Sequence, residues 1–557
     1  MSYLNQLRLH FAGQFQSNIS TVNNDPAHFD NAGFQSTYQK PQGPGMHPPN
    51  GWFSPQGDAA FRLLGCTVTG AWLPSGPVAA SDPVLSSLIA DSDSQAPAKL
   101  VDLDSEQQLV SQIWGLQVRI ADSHGHTLLR GDFEPAAFID IWDRAIGASS
   151  GGDANGSAIY QSVLGNLQWG NVGGSPFLTA LKQASSASGM LSIKFNVDGI
   201  NLDHKSPNFL CGRIVGTIGP AAHGEPHHLV IGRQFMAAPG PDPNFFNPLG
   251  GINFFAARVD AAAQCIFLDL GNAIQTQTPG TGLIDIGPLA LSVLSPIATP
   301  GNPAGQAITL GTVPNSGPGG YATAGWYEST AGVAVLPLTA EQLQAVAIYP
   351  LALSAQTQQR QYFISEWTNG LFVRADAFVH RMSPGEPASI TVYAMQRGKP
   401  LAGASIAFAL DSSQLQPTPA SFPYVGAGPD VATPADVLTS NQVPLSTTPP
   451  TVTTDAQGRG ILPVAAGDPG NVRWFNSGQD YGIDGQVYGV RPAFADASLN
   501  EGPINQWNFV SFLVWSGFQA SNPVTWADLA PIFQQYANLY PVMNRFLDLS
   551  DYDSVVA

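Results

Sequence analysis

Leu7-Arg8-Leu9-His10-Phe11-Ala12-Gly13 is the stretch from which the fold is read. Leu7, Leu9 and Phe11 alternate with Arg8 and His10, the two-residue period of a β-strand with one buried face. Gly13 has no Cβ and marks a bulge or a close backbone approach. Thr21-Val22-Asn23-Asn24-Asp25-Pro26 then breaks the strand into a polar loop, because Asn, Asp and Pro favour turns. An Arg and a His therefore share the polar face of an early strand. His10 reads either as a hydrogen-bonded structural histidine or as an acid/base or ligand group.

The rest of the chain agrees with a β-rich reading. Its 557 residues exceed one ordinary core, so two or three domains are expected. Gly 58 and Pro 46 imply many turns, which favours strands over helix bundles. A formal charge of -18 argues against nucleic acid, which needs a basic footprint, and against anionic lipid. Cys66, Cys211 and Cys265 are far apart, with no zinc or disulfide spacing. They read as buried thiols of a reducing compartment. The N-terminus lacks a basic run followed by an apolar one, and no apolar stretch is long enough to span a bilayer. A cytoplasmic protein with no membrane and no nucleic-acid partner is the expectation.

Strands are expected over 61–72, 110–118, 190–197, 212–218, 229–235, 254–259 and 264–270. Short helices are expected over 134–145, with Pro135 in the first turn, and over 176–184. A second unit starts near 365. Ser389-Ile390-Thr391-Val392-Tyr393-Ala394 alternates cleanly, and Gly398 to Ala404 is a hairpin turn. Ile406, Phe408 and Leu410 resume the alternation, and Asp455 to Gly460 is a further turn. This pattern resembles small Ig-like or prealbumin-like sandwich modules. Leu529, Ile532, Phe533, Tyr536, Leu539, Tyr540 and Met543 then recur at helical spacing, with Pro541 kinking or splitting the helix. The fold class is mainly β. A large antiparallel β-rich domain with few short helices covers 1–364, an Ig-like or prealbumin-like β-sandwich covers 365–500, and a C-terminal helical segment covers 501–557.

Few motifs carry chemistry. Gly147-Ala148-Ser149-Ser150-Gly151 matches the nucleophile-elbow string, but the strand–turn–helix context it needs is missing. His223, Glu225, His227 and His228 fall within six residues. His and carboxylate together are metal chemistry, yet Gly224 and Pro226 make a turn, and adjacent histidines diverge in a strand. Asp102, Asp104 and Glu106 alternate, as a calcium-binding face or a solvated edge. No Walker loop, no HExxH and no Glu-x-x-His pair on a helix is present.

The opening stretch also carries a resemblance. Arg8, Leu9, His10, Phe11 and Gly13, followed by Asn18, Thr21, Asn23, Asp25 and Pro26, look like the start of the iminophenylpyruvate-dimer and chromopyrrolate synthases. These enzymes act in violacein, rebeccamycin and staurosporine biosynthesis. Val101, Asp102, Asp104, Gln112, Ile113 and Gln117 follow the family spacing. So do Gly216-Thr217-Ile218, Pro220, Gly224-Glu225-Pro226 and Gly232-Arg233. His227 and His228 have no family counterpart. The family proteins are about twice as long, and their second half resembles a ferritin-like bundle. The resemblance thus covers their amino-terminal half.

The resemblance implies a component of an oxidative natural-product enzyme acting on amino-acid-derived imine or indole-type substrates. A separate ferritin-like or haem protein, docking on the C-terminal helix, would supply haem or iron. Arg8 and Arg233 are then carboxylate-binding candidates, because guanidinium pairs bidentately with carboxylates. His10, oriented by Asp25 or Asp102, would be the acid/base or haem-facing group. Asn23 and Glu225 join the substrate-binding candidates; no metal ligand is assigned. Two other readings stand beside this one. A non-catalytic binding or scaffold protein would keep the fold without the chemistry, and a self-sufficient haem oxidoreductase would carry it alone.

Overall fold

The computed structural model describes residues 2–18, 60–102, 111–147, 154–203, 205–237, 248–295, 306–411, 435–470, 485–501, 508–539 and 541–557. The opening alternation forms the strand Arg8–Ser17. It pairs antiparallel with Phe61–Leu73 on one side and Cys211–Pro220 on the other. From Phe61–Leu73 the sheet continues through Leu88–Ala90, Gln117–Ala121, Thr127–Phe133, Gly156–Trp169 and Leu191–Asp198, and returns to Cys211–Pro220. The ring closes because Gly156–Trp169, at 14 residues, is long enough for two partners in series along its length. Its second half pairs with Thr127–Phe133 and its first with Leu191–Asp198. The result is an eight-stranded antiparallel barrel, a size that side chains fill and that leaves no open edge in the ring.

Leu9, Phe11, Phe15, Val118, Ile120, Tyr160, Ile193, Phe195 and Ile214 belong to the barrel core. The helix Pro176–Ser185 adds Phe177, Leu178 and Leu181. It starts where expected: Ser175 caps it by accepting from the Leu178 N–H, and Pro176 stands in the first turn. Gly13 has the close approach read from its sequence. A bulge lies between Ala12 and Gln14, and a methyl on Gly13 would stand 2.5 Å from the Cys66 Cα.

The helix expected over 134–145 is instead the strand Ala136–Asp143. Its two faces serve different cores: Ala136 and Phe138 join the barrel core, while Ile139 and Trp142 join the next one. A strand buried on both faces reads as a near-continuous apolar run, which the sequence alone does not distinguish from a helix.

That next core lies between two four-stranded sheets. One contains Arg233–Phe235, Phe255–Asp260, Cys265–Asp269 and Val333–Pro337; the other contains Gln306–Val313, Leu289–Ser295, Leu351–Gln356 and Gln361–Ser365. Val215 and Ile159, on barrel strands, point into this second core. These two sheets form a second unit of their own, ahead of the sandwich that starts near 365, and it covers part of the barrel's outer face.

Residues from Leu371 onward build the sandwich. Leu371–Ala375, Pro387–Gln396 and Arg459–Ala466 lie in one sheet; Val379–Met382, Val510–Val514, Gln486–Phe494 and Ser405–Leu410 lie in the other. Ile390, Val392, Leu462 and Val464 meet Phe408, Tyr488, Val490 and Phe512 in its core. Because Val510–Val514 is a sandwich strand, this unit runs past the boundary at 500 read from the sequence. Its pairing with Val379–Met382 is parallel.

The tail forms the helix Trp526–Leu539 and then the 3-10 turn Pro541–Arg545, so the chain breaks around Pro541 as expected. From Trp515 on, every residue of described burial is at least partly exposed. No helix among the described residues is long and apolar enough to cross a membrane.

Candidate functional site

Alternation sends Leu9 and Phe11 into the barrel and Arg8 and His10 outward. Outward does not mean into water here, because the second unit covers this face. His10 is 0% exposed and Arg8 5%. Arg8 Nε donates to His10 Nε2 at 3.3 Å, so the imidazole proton sits on Nδ1, which donates to Thr217 Oγ1 at 2.8 Å. The His10 ring meets the edge of Trp72, with centroids 4.8 Å apart, and the Arg8 guanidinium lies over the same indole. Burial, then the charges of Arg8 and Lys194, press the His10 pKa well below the ordinary histidine value. His10 is thus a neutral imidazole with both nitrogens engaged. A haem-ligating nitrogen does not fit there.

Arg233 is equally enclosed. Its Nε donates to Glu366 Oε1 at 2.7 Å and its Nη2 to Glu366 Oε2. The remaining donors reach the carbonyls of Val346, at 2.6 Å, and Tyr349, at 2.8 Å. These carbonyls close the helix Ala340–Ile348. Arg233 therefore satisfies a helix C-terminus and fixes a strand to it, the place where a cation complements the dipole. Four of its five N–H groups are committed in this way, and at 1% exposure the guanidinium offers no open face to a substrate carboxylate.

The other candidates do not gather around His10. Asp102 ends the outlying strand Lys99–Asp102. Nearby Ala98 bridges Phe61, which pairs with Ser17, at the far end of the first strand from Arg8. Glu225 Oε2 accepts from the Ala222 N–H at 2.8 Å in a turn. Asn23, Asp25, Asp104 and Glu106 lie outside the described residues.

The structure assembles a buried polar seam along the barrel's covered face. Cross-strand register aligns His10, Thr217, Lys194 and Gln161 in one row. Lys194 pairs with Asp269 of the second unit at 2.6 Å. Further along, Arg144 donates to Asp198 Oδ2 at 3.1 Å and to the Tyr327 hydroxyl at 3.0 Å. Arg213 binds the same Asp198 carboxylate bidentately, at 2.9 and 2.6 Å, and reaches Glu328 at 3.0 Å. Asp140 accepts from Asn253 and Asn272, at 2.5 and 3.0 Å. Burial lowers Arg213, but the Asp198 charge and hydrogen bond raise it further, so it stays charged. These bonds tie two packed units together, while Arg144 Nη2 and Asn253 Oδ1 stay without a partner.

A second cluster sits where all three units meet. The Asp376 carboxylate accepts the backbone N–H of His227 at 3.0 Å and of His228 at 2.8 Å. His227 Nδ1 donates to Glu134 Oε2 at 2.8 Å, and His228 Nε2 stands 3.8 Å from Glu134 Oε1. The hydrogen bond to Glu134 raises the His227 pKa, against burial. Beside it lies a small cavity of about 20 Å³, lined by Ser2, Met190, Glu225, His227, Val230 and Arg258 among others. Among the described residues, no three His, Cys, Asp or Glu side chains converge as a metal site.

Sequence reasoning missed Lys194, Asp269, Arg144, Asp198 and Arg213. Lys194 falls on the polar face of an alternating strand, where a lone cation reads as solvated. Glu134 and Asp376 lie 93 and 149 residues from His227, with no local signal linking them.

No family model and no curated protein matches the chain. Solved structures match only loosely. Domains 4 and 5 of the S-layer protein SbsC align at TM-score 0.14 and 11% identity, over 47% of this chain and 90% of theirs. Trypsin-activated alpha-2-macroglobulin from Escherichia coli aligns at TM-score 0.17 and 9% identity, over 72% of this chain and 30% of that one. Salmonella alpha-2-macroglobulin reacted with methylamine aligns at 0.16 and 13%, over 92% and 26%. Likeness at this level supports no conclusion about fold or function.

Proposed function

We propose that this chain is a non-catalytic binding or scaffold protein. One observation carries the reading: the group best suited to acid/base or haem chemistry, His10, is fully enclosed, neutral and hydrogen-bonded at both nitrogens. A general acid or base must reach the proton it moves, directly or through one water. Arg233, spent on Glu366 and two carbonyls, adds to the case. The test is the absorption spectrum, iron content and oxidative activity of the purified full chain on tryptophan-derived imino acids. A colourless, inactive protein is expected. Stoichiometric haem with activity lost in His10→Gln would overturn the proposal.

A second reading keeps the chain in oxidative natural-product chemistry as a partner-dependent component. The tail favours it. The helix Trp526–Leu539 carries Leu529, Ile532, Phe533 and Tyr536, and all four remain partly exposed; Phe546 beyond it is 82% exposed. An apolar stripe left uncovered fits a docking surface. A ferritin-like or haem protein is the partner class that the family resemblance implies. Co-purification of such a chain from the native host, lost when residues from 516 on are removed, would establish this reading over the first.

A further inference from the structure

Lys194 and Asp269 face each other across the seam. Lys194 lies on the barrel strand Leu191–Asp198, and Asp269 ends Cys265–Asp269 of the second unit. Nζ stands 2.6 Å from Oδ1, and the two side chains are 0% and 1% exposed. The carboxylate has two further donors. The Tyr3 hydroxyl donates to Oδ2 at 2.7 Å, and the Gly271 N–H donates to Oδ1 at 3.1 Å. An ion pair this far from water has lost its hydration. Burial lowers the Lys194 pKa, opposed by the attraction of Asp269. Burial and then Asp269 raise Tyr3, so its hydroxyl keeps its proton and remains a donor.

We propose that Lys194 and Asp269 are joined by an intramolecular amide bond that welds the barrel to the second unit. A proton passes from Nζ to Oδ1 along their hydrogen bond, which leaves an amine against a carboxylic acid. Nζ attacks Cγ, and the Nζ–Cγ bond forms. The Tyr3 hydroxyl holds Oδ2, which stays as the amide oxygen, in the way fixed donors stabilise an oxyanion. The second Nζ proton passes to Oδ1, the Cγ–Oδ1 bond breaks, and Oδ1 leaves with both protons as water. The condensation is redox-neutral and takes no co-reactant.

The surroundings suit this step. Preorganised contact between reacting groups supplies much of the barrier reduction in intramolecular reactions. Asn196, 1% exposed, has neither amide atom hydrogen-bonded. It crowds the Gly271 Cα beside Lys194: a methyl on Gly271 would collide with Asn196 Nδ2 and stand 2.7 Å from Lys194 Nζ. The weld holds whether or not the chain serves as a scaffold.

The experiment is intact-mass measurement of the purified full chain in guanidinium, followed by proteolytic mapping. The expected mass is lower than the sequence mass by one water, with a peptide pair linking Lys194 to Asp269. Lys194→Met and Asp269→Ala are each expected at their full sequence mass, a readout that does not require either variant to fold. A wild-type mass equal to the sequence mass, or a water loss mapped to other residues, would overturn the proposal and leave an ordinary buried ion pair.

Discussion

His10 makes the chain's stability depend on pH in a way that a single substitution can isolate. Its folded pKa lies well below the ordinary value of 6.5, through burial and then the charge of Arg8. The unfolded chain binds the His10 proton as pH falls through about 6.5, and the folded chain does not. Stability from this group is therefore complete at alkaline pH and is lost on acidification, by about 1.4 kcal/mol per pH unit once the unfolded histidine is charged. Between about pH 8 and about pH 5 the loss amounts to ~2 kcal/mol. His10→Gln removes the titration while keeping a donor for Thr217 and an acceptor for Arg8. At alkaline pH it costs ~1–2 kcal/mol, from the lost contact with Trp72 and imperfect hydrogen bonds. Urea unfolding of both proteins across this pH range reads the difference. His227 and the carboxylates titrate alike in the two and cancel. The reasoning predicts that the acid-induced loss shrinks by ~2 kcal/mol in the variant. An identical pH dependence would refute a neutral, enclosed His10 and reopen an exposed, titrating one.

The remaining predictions concern other joints of the fold. Arg233→Met leaves Glu366 buried without its partner and should cost ~3–5 kcal/mol in thermal or denaturant unfolding; a cost within that of a surface substitution would contradict its structural role. Gly13→Ala drives a methyl into the Cys66 backbone and should lower stability by ~1–3 kcal/mol, checked by calorimetry. Glu134→Gln removes the partner that raises His227. The stability that His227 adds is fully present below its unfolded pKa and is lost as pH rises through its folded pKa. NMR titration should thus find the His227 pKa lower in Glu134→Gln than in the wild type, and an unmoved titration would contradict the contact.

The sequence made the first strand legible because alternation reports one buried face whatever covers the other. Leu9, Phe11 and the Gly13 bulge are where the pattern puts them. The sandwich was legible for the same reason: Ile390 and Val392 alternate with Ser389 and Thr391 on one strand. The segment 134–145 misled, because a strand facing two cores loses its alternation and takes on the look of an amphipathic helix.

Local pattern thus determined strand against turn, the β-rich class, the helix over 176–184, a C-terminal helix carrying the stripe that starts at Leu529, and which side of Arg8–Ser17 is apolar. It could not determine what lies against the polar side. That depended on the closure of the barrel and on the second unit packing over it, which brought Asp269 to Lys194 and Trp72 to His10 across long sequence separations. The same alternation describes a catalytic histidine facing a cleft and a neutral one sealed in a seam. Only the tertiary packing, by removing water from that face, left His10 and Arg8 buried.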